Sequence, residues 1–100
     1  SNLFLKIDIE GAETKLFKGS DLLIKEIKPF ILLELHSANI IKLEDAVKIL
    51  KYLDNNSYEC YDVNQGLKYI EIKEYNNQKN LLCVPKDKKE KLNIIKKEIL

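Results

Sequence analysis

The sequence contains no arginine, methionine or tryptophan, and only one histidine. All 17 basic residues are therefore lysines, and 16 acidic residues reduce the formal net charge to +1. Without arginine the chain lacks the planar guanidinium group that binds phosphate or guanine through paired hydrogen bonds. A net charge near zero also creates little attraction for polyanions. We therefore expect neither nucleic acid nor a membrane surface as a partner.

Long apolar segments are also missing. No run approaches the ~20 apolar residues that cross a bilayer, and no signal-peptide pattern opens the sequence. The two cysteines, Cys60 and Cys83, have no metal-binding spacing, and each lies in an apolar or aromatic stretch. They are predicted to be buried thiols in a reducing compartment, which indicates a cytoplasmic protein.

The length of 100 residues allows one domain or part of a larger one, and 45% hydrophobic residues are enough to build a core. Residues 1–85 are predicted to form the domain. The lysine-rich residues 86–100 are predicted to form a C-terminal helix or tail, whose apolar stripe consists of Leu92, Ile95 and Ile99.

The first half of the sequence predicts two buried strands and helical segments that follow them. Residues 3–9 and 30–36 are nearly continuous apolar runs, which is typical of strands covered on both faces. Between them, residues 12–27 carry a helical stripe that Gly19 interrupts, which predicts one broken helix or two short ones. Residues 43–54 are predicted to form an amphipathic helix.

The second half is predicted to be mainly β-structure. Strands are expected at residues 58–63, 67–75 and 81–84, with a turn at 64–66. Because strands and helices alternate before this region, the predicted fold class is α/β, with a mostly parallel sheet flanked by helices. The short final strands have no helix between them, so an antiparallel hairpin is expected to close one edge of the sheet.

Polar side chains end the first two predicted strands. Asp8 and Glu10 precede Gly11 at the end of the first strand, and Glu34 and His36 end the second. Ligands of open α/β sheets bind at the carboxyl ends of strands, and side chains two residues apart share a face. If the two strands are neighbours, the four groups meet at one rim, where an acid and an imidazole could transfer a proton.

Simpler roles remain open for these residues. Acidic residues before a helix can cap its N-terminus and interact favourably with its dipole. A histidine at a strand end is often only a hydrogen-bonded rim residue, and Glu34 could hold a neighbouring lysine or backbone amide. A metal site built from Asp8, Glu10 and Glu34 is a further alternative, but carboxylates alone have no diagnostic spacing here.

Several segments resemble FkbM-type S-adenosylmethionine-dependent methyltransferases. Residues 6–13 (KIDIEGAE) are similar to the KIDVEGAE segment of that family, and residues 17–19 resemble the LKG that follows it. Residues 29–36 resemble the next strand, and residues 80–85 (NLLCVP) are similar to the closing NLLFVP stretch. The resemblance implies a Rossmann-like methyltransferase fold, of which this chain would hold the fourth through seventh strands of seven.

The resemblance also implies a reaction, the transfer of a methyl group from S-adenosylmethionine to a hydroxyl of a sugar or other small molecule. Asp8 is the first candidate for a role beside the transferring methyl group, followed by His36 and Glu10. In the family, a glycine-rich turn and an acidic residue of the N-terminal half bind the methyl donor. The three scattered glycines of this chain do not match that turn, so no cofactor-binding residue is assigned, and the chain alone is expected to be inactive.

An alternative hypothesis is a non-catalytic α/β module. The predicted first strand, which begins at Leu3 and ends at Ile9, would then be an exposed apolar edge. Such an edge pairs readily with another chain, either a second copy or a separate N-terminal half of the domain.

Overall fold

The computed structural model describes residues 4–9, 21–35, 43–76 and 78–99. Its strands are β1 (Phe4–Ile9), β2 (Phe30–Leu35), β3 (Tyr58–Asp62), β4 (Lys68–Ile70) and β5 (Asn80–Pro85), and its helices are α1 (Leu43–Asn55) and α2 (Leu92–Ile99). Residues 21–26 are also helical. Short 3-10 helices span Val63–Gln65, Ile72–Glu74 and Lys86–Lys91. Both predicted strands, the amphipathic helix and a C-terminal helix are present, but only β2 is buried as predicted, because Phe4 and Lys6 of β1 are exposed. Residues 12–20 of the first predicted helix lie outside the described residues.

The described strands form one sheet in the order β1-β2-β5-β3-β4. β1 and β2 are parallel, whereas β5 is antiparallel to both β2 and β3, and β4 is antiparallel to β3. The α/β class is confirmed, but the prediction of a mostly parallel sheet is wrong, because the sheet is mixed. Since β2 and β3 both run opposite to β5, the strands β1, β2 and β3 all point in the same direction.

The predicted antiparallel hairpin at one edge of the sheet is confirmed, and β3 and β4 form it. β5 does not pair with β4 at an edge but lies between β2 and β3. The sequence of β5 explains this position, since every residue from Leu81 to Pro85 is buried, and a strand that is apolar on both faces is stable only in the interior of a sheet.

β4 is shorter than the strand predicted over residues 67–75. The ladder with β3 ends at Ile70, and the chain then turns into the 3-10 helix Ile72–Glu74. The carboxylate of Glu74 accepts a hydrogen bond from the backbone amide of Glu71 at 3.3 Å. This local bond competes with strand pairing for the same amide, which ends β4 after three residues.

α1 packs on one face of the sheet through an apolar stripe. Glu44 and Asp45 stand in its first turn, where acidic side chains interact favourably with the helix dipole. The backbone amide of Asn56 bonds back to Leu53 at 3.0 Å and closes the helix. The stripe repeats at the helical spacing of three and four residues and consists of Ala46, Ile49, Leu50 and Leu53, all buried.

Apolar clusters cover both faces of the sheet. One cluster, the α1 cluster, joins α1 to residues such as Ile31, Leu33 and Leu81, and it includes Ile24 from the helical residues 21–26. The other, the α2 cluster, brings Ile95 of α2 against Phe30, Tyr61, Leu67, Leu82 and Val84. Both cysteines are free and buried in the α1 cluster, as predicted. Among the described residues, no helix is long and apolar enough to cross a membrane.

Candidate functional site

The carboxyl ends of β1 and β2 meet at one rim of the sheet, as the candidate site requires. The two strands are parallel neighbours, and Asp8 lies directly beside Glu34 in the ladder. β5 runs the opposite way, so its first residue, Asn80, pairs with Glu34 on the other side. β3 also ends at this rim, with Asp62. Three consecutive strands therefore carry Asp8, Glu34 and Asn80 at one level of the sheet.

An ion pair fixes the carboxylate of Glu34. Lys6 Nζ lies 3.2 Å from Glu34 Oε1 across the β1–β2 pairing. The Glu34 side chain keeps 24% of its surface exposed, against 63% for Lys6. The expectation that Glu34 holds a neighbouring lysine is thus confirmed. The carboxylate is both anchored and accessible at the rim.

Amide side chains continue the rim beyond Glu34. Asn80 Nδ2 donates a hydrogen bond to Asn64 Oδ1 at 3.2 Å. Residues directly opposite in an antiparallel pair have their side chains on the same face. Because Leu82 packs in the α2 cluster and side chains alternate along a strand, Asn80 and Glu34 lie on the α2 side of the sheet.

A buried carboxylate holds the β3–β4 hairpin in position. Asp62 is only 2% exposed, and its two oxygens accept hydrogen bonds from the Asn64 backbone amide at 3.0 Å and from Gln65 Nε2 at 2.6 Å. Gly66 then adopts a left-handed conformation with φ 65°, which glycine tolerates without strain. These contacts fix the position of Asn64, whose side chain in turn accepts the hydrogen bond from Asn80.

The predicted catalytic residues are described only in part. Asp8 is placed by the backbone of β1, next to Glu34, but its side chain lies outside the described residues, as do Glu10 and His36. The condition on which their convergence depended, that the two strands are neighbours, is met. The roles of Asp8, Glu10 and His36 stay predictions.

Sequence reasoning missed Lys6, Asn64, Asp62 and Asn80 at this rim. Lys6 lies in the KIDIEGAE segment two residues before Asp8, so strand alternation could have pointed to it. Asn80 and Asn64 could not be found in this way, because their place depends on the insertion of β5 beside β2. Within the described residues, no group of three or more His, Cys, Asp or Glu side chains could hold a metal ion.

A comparison with models of known protein families shows to which family the chain belongs. The model of the methyltransferase FkbM domain matches residues 3–60, which is more than half of the sequence. The chain belongs to the FkbM methyltransferase domain family. The match includes β1, β2, α1 and most of β3, so Asp8 and Glu34 lie on the part that the FkbM family shares. No curated protein and no solved structure matches the sequence of this FkbM chain.

Proposed function

We propose that this chain takes part in S-adenosylmethionine-dependent methyl transfer to a hydroxyl group of a sugar or small metabolite, and that it carries the acceptor-side half of the domain. Membership in the FkbM family supports methyl transfer. The observation that carries the proposal is the pairing of Asp8 with Glu34 at the carboxyl ends of two parallel strands, which is where ligands of such sheets bind.

The proposed chemistry requires a base beside the acceptor. A hydroxyl is a poor nucleophile while it holds its proton, so a carboxylate or imidazole within about 3 Å of the hydroxyl promotes its attack. In our proposal Asp8 accepts this proton, and His36 and Glu10 assist at the same rim. Alignment of the acceptor oxygen with the methyl group supplies several kcal/mol more.

The side chains of Lys6, Glu34 and Asn80 are assigned to acceptor binding. Glu34 accepts hydrogen bonds, and the amide of Asn80 both donates and accepts them. A molecule with several hydroxyl groups, such as a sugar, can satisfy this mixture of donors and acceptors better than an apolar molecule can. The ion pair between Lys6 and Glu34 orients the carboxylate before the acceptor arrives.

The described residues do not fit the methyl donor itself. Binding of a nucleoside donor in a Rossmann-like site needs a glycine-rich turn beside a helix N-terminus. Gly66, the glycine among the described residues, instead ends the 3-10 helix of the β3–β4 hairpin, and a Cβ added there would meet no atom within 4 Å. When bound, S-adenosylmethionine supplies the electrophilic methyl group, and we assign no donor contact to this chain.

β1 is the strand through which we propose that the chain pairs with the rest of the domain. It is hydrogen-bonded to β2 on one side and forms an edge of the described sheet. Phe4 on this edge is 44% exposed. An apolar edge strand is a template for further pairing, and we propose that the N-terminal half of the domain occupies it.

Binding of S-adenosylmethionine distinguishes this proposal from the non-catalytic alternative. Calorimetric titration of the chain alone is expected to show no binding, and addition of the N-terminal half of the domain is expected to restore it. If the donor fails to bind after that addition, the chain is a non-catalytic module. Light scattering after size exclusion tests the edge separately, and a homodimer would mean that a second copy occupies β1.

Methyl transfer is then measured with labelled donor and a panel of polyhydroxylated acceptors, in the presence of the N-terminal half. Asp8→Asn is expected to lower turnover by a factor of about 10² or more, the usual contribution of a general base, with donor affinity unchanged. Glu44→Gln in the exposed first turn of α1 is the matched control and should retain full turnover. Full turnover of the Asp8→Asn variant would remove Asp8 from the chemistry.

A further inference from the structure

Cys60 and Cys83 face each other in the centre of the sheet. They are direct partners in the antiparallel β3–β5 ladder, and their sulfur atoms are 3.2 Å apart. Neither is in a disulfide. The candidate rim of β1 and β2 uses neither thiol, so this pair has no part in the proposed methyl transfer.

The backbone already has the spacing of a disulfide. Directly opposite residues of antiparallel strands have Cα atoms about 4.5 to 5.5 Å apart, and disulfides join Cα atoms that are roughly 4.4 to 6.8 Å apart. The sulfur atoms must approach from 3.2 Å to a bond length of about 2.05 Å. Rotation of the two side chains brings the sulfur atoms together, and the opposed strands already provide the Cα spacing that the bond needs.

A cavity gives access to one of the two thiols. It has a volume of about 310 Å³ and lies between α1 and the start of β3, at the opposite end of β3 from the rim. Cys60 lines this cavity and is 8% exposed, whereas Cys83 does not line it and is fully buried. At about 30 Å³ for each water molecule, the cavity has room for a small organic molecule beside Cys60.

We propose that Cys60 and Cys83 form a dithiol site that a small disulfide compound oxidises to a cross-strand disulfide. The Cys60 thiolate attacks one sulfur of the compound, forms a mixed disulfide and releases one thiolate. Cys83, after losing its proton, attacks the Cys60 sulfur and releases the second thiolate. The protein loses two electrons and two protons, and the small disulfide is reduced to two thiols.

The order of the two steps follows from access. Cys60 reacts first because it lines the cavity, and Cys83 resolves the mixed disulfide from behind. The hydrogen bond with Cys60, together with burial, raises the pKa of the Cys83 thiol. Since the thiolate is the reactive form, the second step should be slow at neutral pH and become faster as the pH rises.

The size of the cavity favours one kind of reagent. Its lining carries charges of both signs, because Asp54, Glu59, Glu71 and Lys73 line it, while Glu71 pairs with Lys73 at 3.2 Å and Glu59 pairs with Lys89 at 3.0 Å. A small disulfide such as 2-hydroxyethyl disulfide should therefore react faster than the much larger oxidised glutathione, after each rate is divided by the rate with the urea-unfolded chain.

The experiment treats the folded chain with 2-hydroxyethyl disulfide and follows its mass. The expected product is lighter than the reduced chain by two hydrogen atoms and carries no adduct. Its thermal midpoint should be higher by on the order of 10 °C, because the new bond restricts the unfolded chain. Reduction with dithiothreitol should return both the mass and the midpoint.

Two matched variants test the assigned roles. Cys83→Ala should accumulate the mixed disulfide at Cys60, because the resolving thiol is gone. Cys60→Ala should remain unmodified, because Cys83 does not line the cavity. Circular dichroism checks that both variants are folded. Equal modification of the two variants would overturn the assignment of Cys60 as the entry residue.

The dependence of the rate on reagent concentration decides whether the folded protein reacts. A reaction through the cavity becomes faster in proportion to the concentration of 2-hydroxyethyl disulfide. At reagent concentrations high enough for modification to outpace refolding, a reaction that needs global unfolding instead reaches a plateau at the unfolding rate. A plateau, or the absence of an intramolecular disulfide in the folded chain, would overturn the proposal.

Discussion

Lys6 and Glu34 form an ion pair between the two parallel strands, with Nζ and Oε1 3.2 Å apart. Glu34 has Asp8 in register beside it on β1. Like charges on directly opposed residues destabilise a sheet, so two acidic residues at this level need a nearby cation. Lys6 supplies that charge from the same strand as Asp8, which links the stability of the rim to its proposed chemistry.

A double-mutant cycle should measure this ion pair. Lys6→Met, Glu34→Gln and the double variant are compared by urea unfolding. The expected coupling is about 0.2 to 1 kcal/mol, as for other solvent-exposed pairs, and it should decrease with added salt. Lys6→Met alone should cost more than Glu34→Gln alone, because it removes a positive charge from a level of the sheet that carries two acidic residues.

The pair between Lys73 and Glu71 is the control for that cycle. Its atoms are also 3.2 Å apart, but its side chains are 80% and 49% exposed. Solvent screening should make its coupling smaller than that of Lys6 and Glu34. Equal coupling in the two cycles would contradict a special role for the rim pair.

The strands and helices could be predicted from local patterns, but the strand order could not. The apolar runs of β1 and β2 and the stripe of α1 each appear within a short segment of sequence. The insertion of β5 between β2 and β3 depends on contacts between residues far apart in the chain. Asn80 therefore reaches Glu34 through a pairing that no local pattern contains.

Part of the candidate site could also be predicted from local patterns, and part of it could not. The acidic residues at the ends of β1 and β2 were recognisable because they follow runs of mainly apolar residues, which have no structural need for them. The hydrogen bonds that Asp62 accepts from Asn64 and Gln65 could not be predicted, because they depend on the conformation of the β3–β4 hairpin. Residues 67–75 show the opposite error, since a weak alternation predicted a longer strand than the chain forms.

Removal of the Tyr58 hydroxyl should destabilise the chain. Tyr58 is 1% exposed, and its hydroxyl donates a hydrogen bond to the Pro29 carbonyl at 2.7 Å. Tyr58→Phe leaves this carbonyl without its donor, at an expected cost of about 1 to 3 kcal/mol in the free energy of unfolding. The matched control is Tyr69→Phe, on a side chain that is 46% exposed. Equal unfolding midpoints for the two variants would show that the buried bond adds nothing.

Alkaline pH should destabilise the protein through Tyr75. Burial raises the pKa of Tyr75 to about 12 from its usual value of 10. The folded state therefore holds the phenolic proton more tightly than the unfolded state does. The resulting stabilisation is complete below about pH 10 and is lost between about pH 10 and 12, at up to about 1.4 kcal/mol for each pH unit.

Urea unfolding of the wild type and of Tyr75→Phe tests this pH dependence. Between about pH 9 and pH 11, the wild type should lose stability more steeply than the variant. The lysines titrate in both proteins, so the difference between the two curves isolates Tyr75. Parallel curves would mean that the folded and unfolded states release this proton at the same pH.

Lys88 should stabilise the junction between the C-terminal segment and the helical residues 21–26. Its ammonium donates to the Lys28 carbonyl at 2.9 Å and to the Ile27 carbonyl at 3.4 Å, and it lies 5.9 Å from the centre of the Phe30 ring. A cation at the C-terminal end of a helix and over an aromatic ring is favourable on both counts. Lys88→Met, which keeps the aliphatic stem, should lower the free energy of unfolding by about 1 kcal/mol.

The matched control for this loss is Lys86→Met, an exposed lysine in the same 3-10 helix. Hydrogen exchange then distinguishes a local from a global effect. The amides of Ile27 and Lys28, which bond to the Leu23 carbonyl, should exchange faster in Lys88→Met than in Lys86→Met. Because Lys88 holds the carbonyls of those same two residues, unchanged exchange in both variants would show that the helix end is held by its packing and not by the lysine.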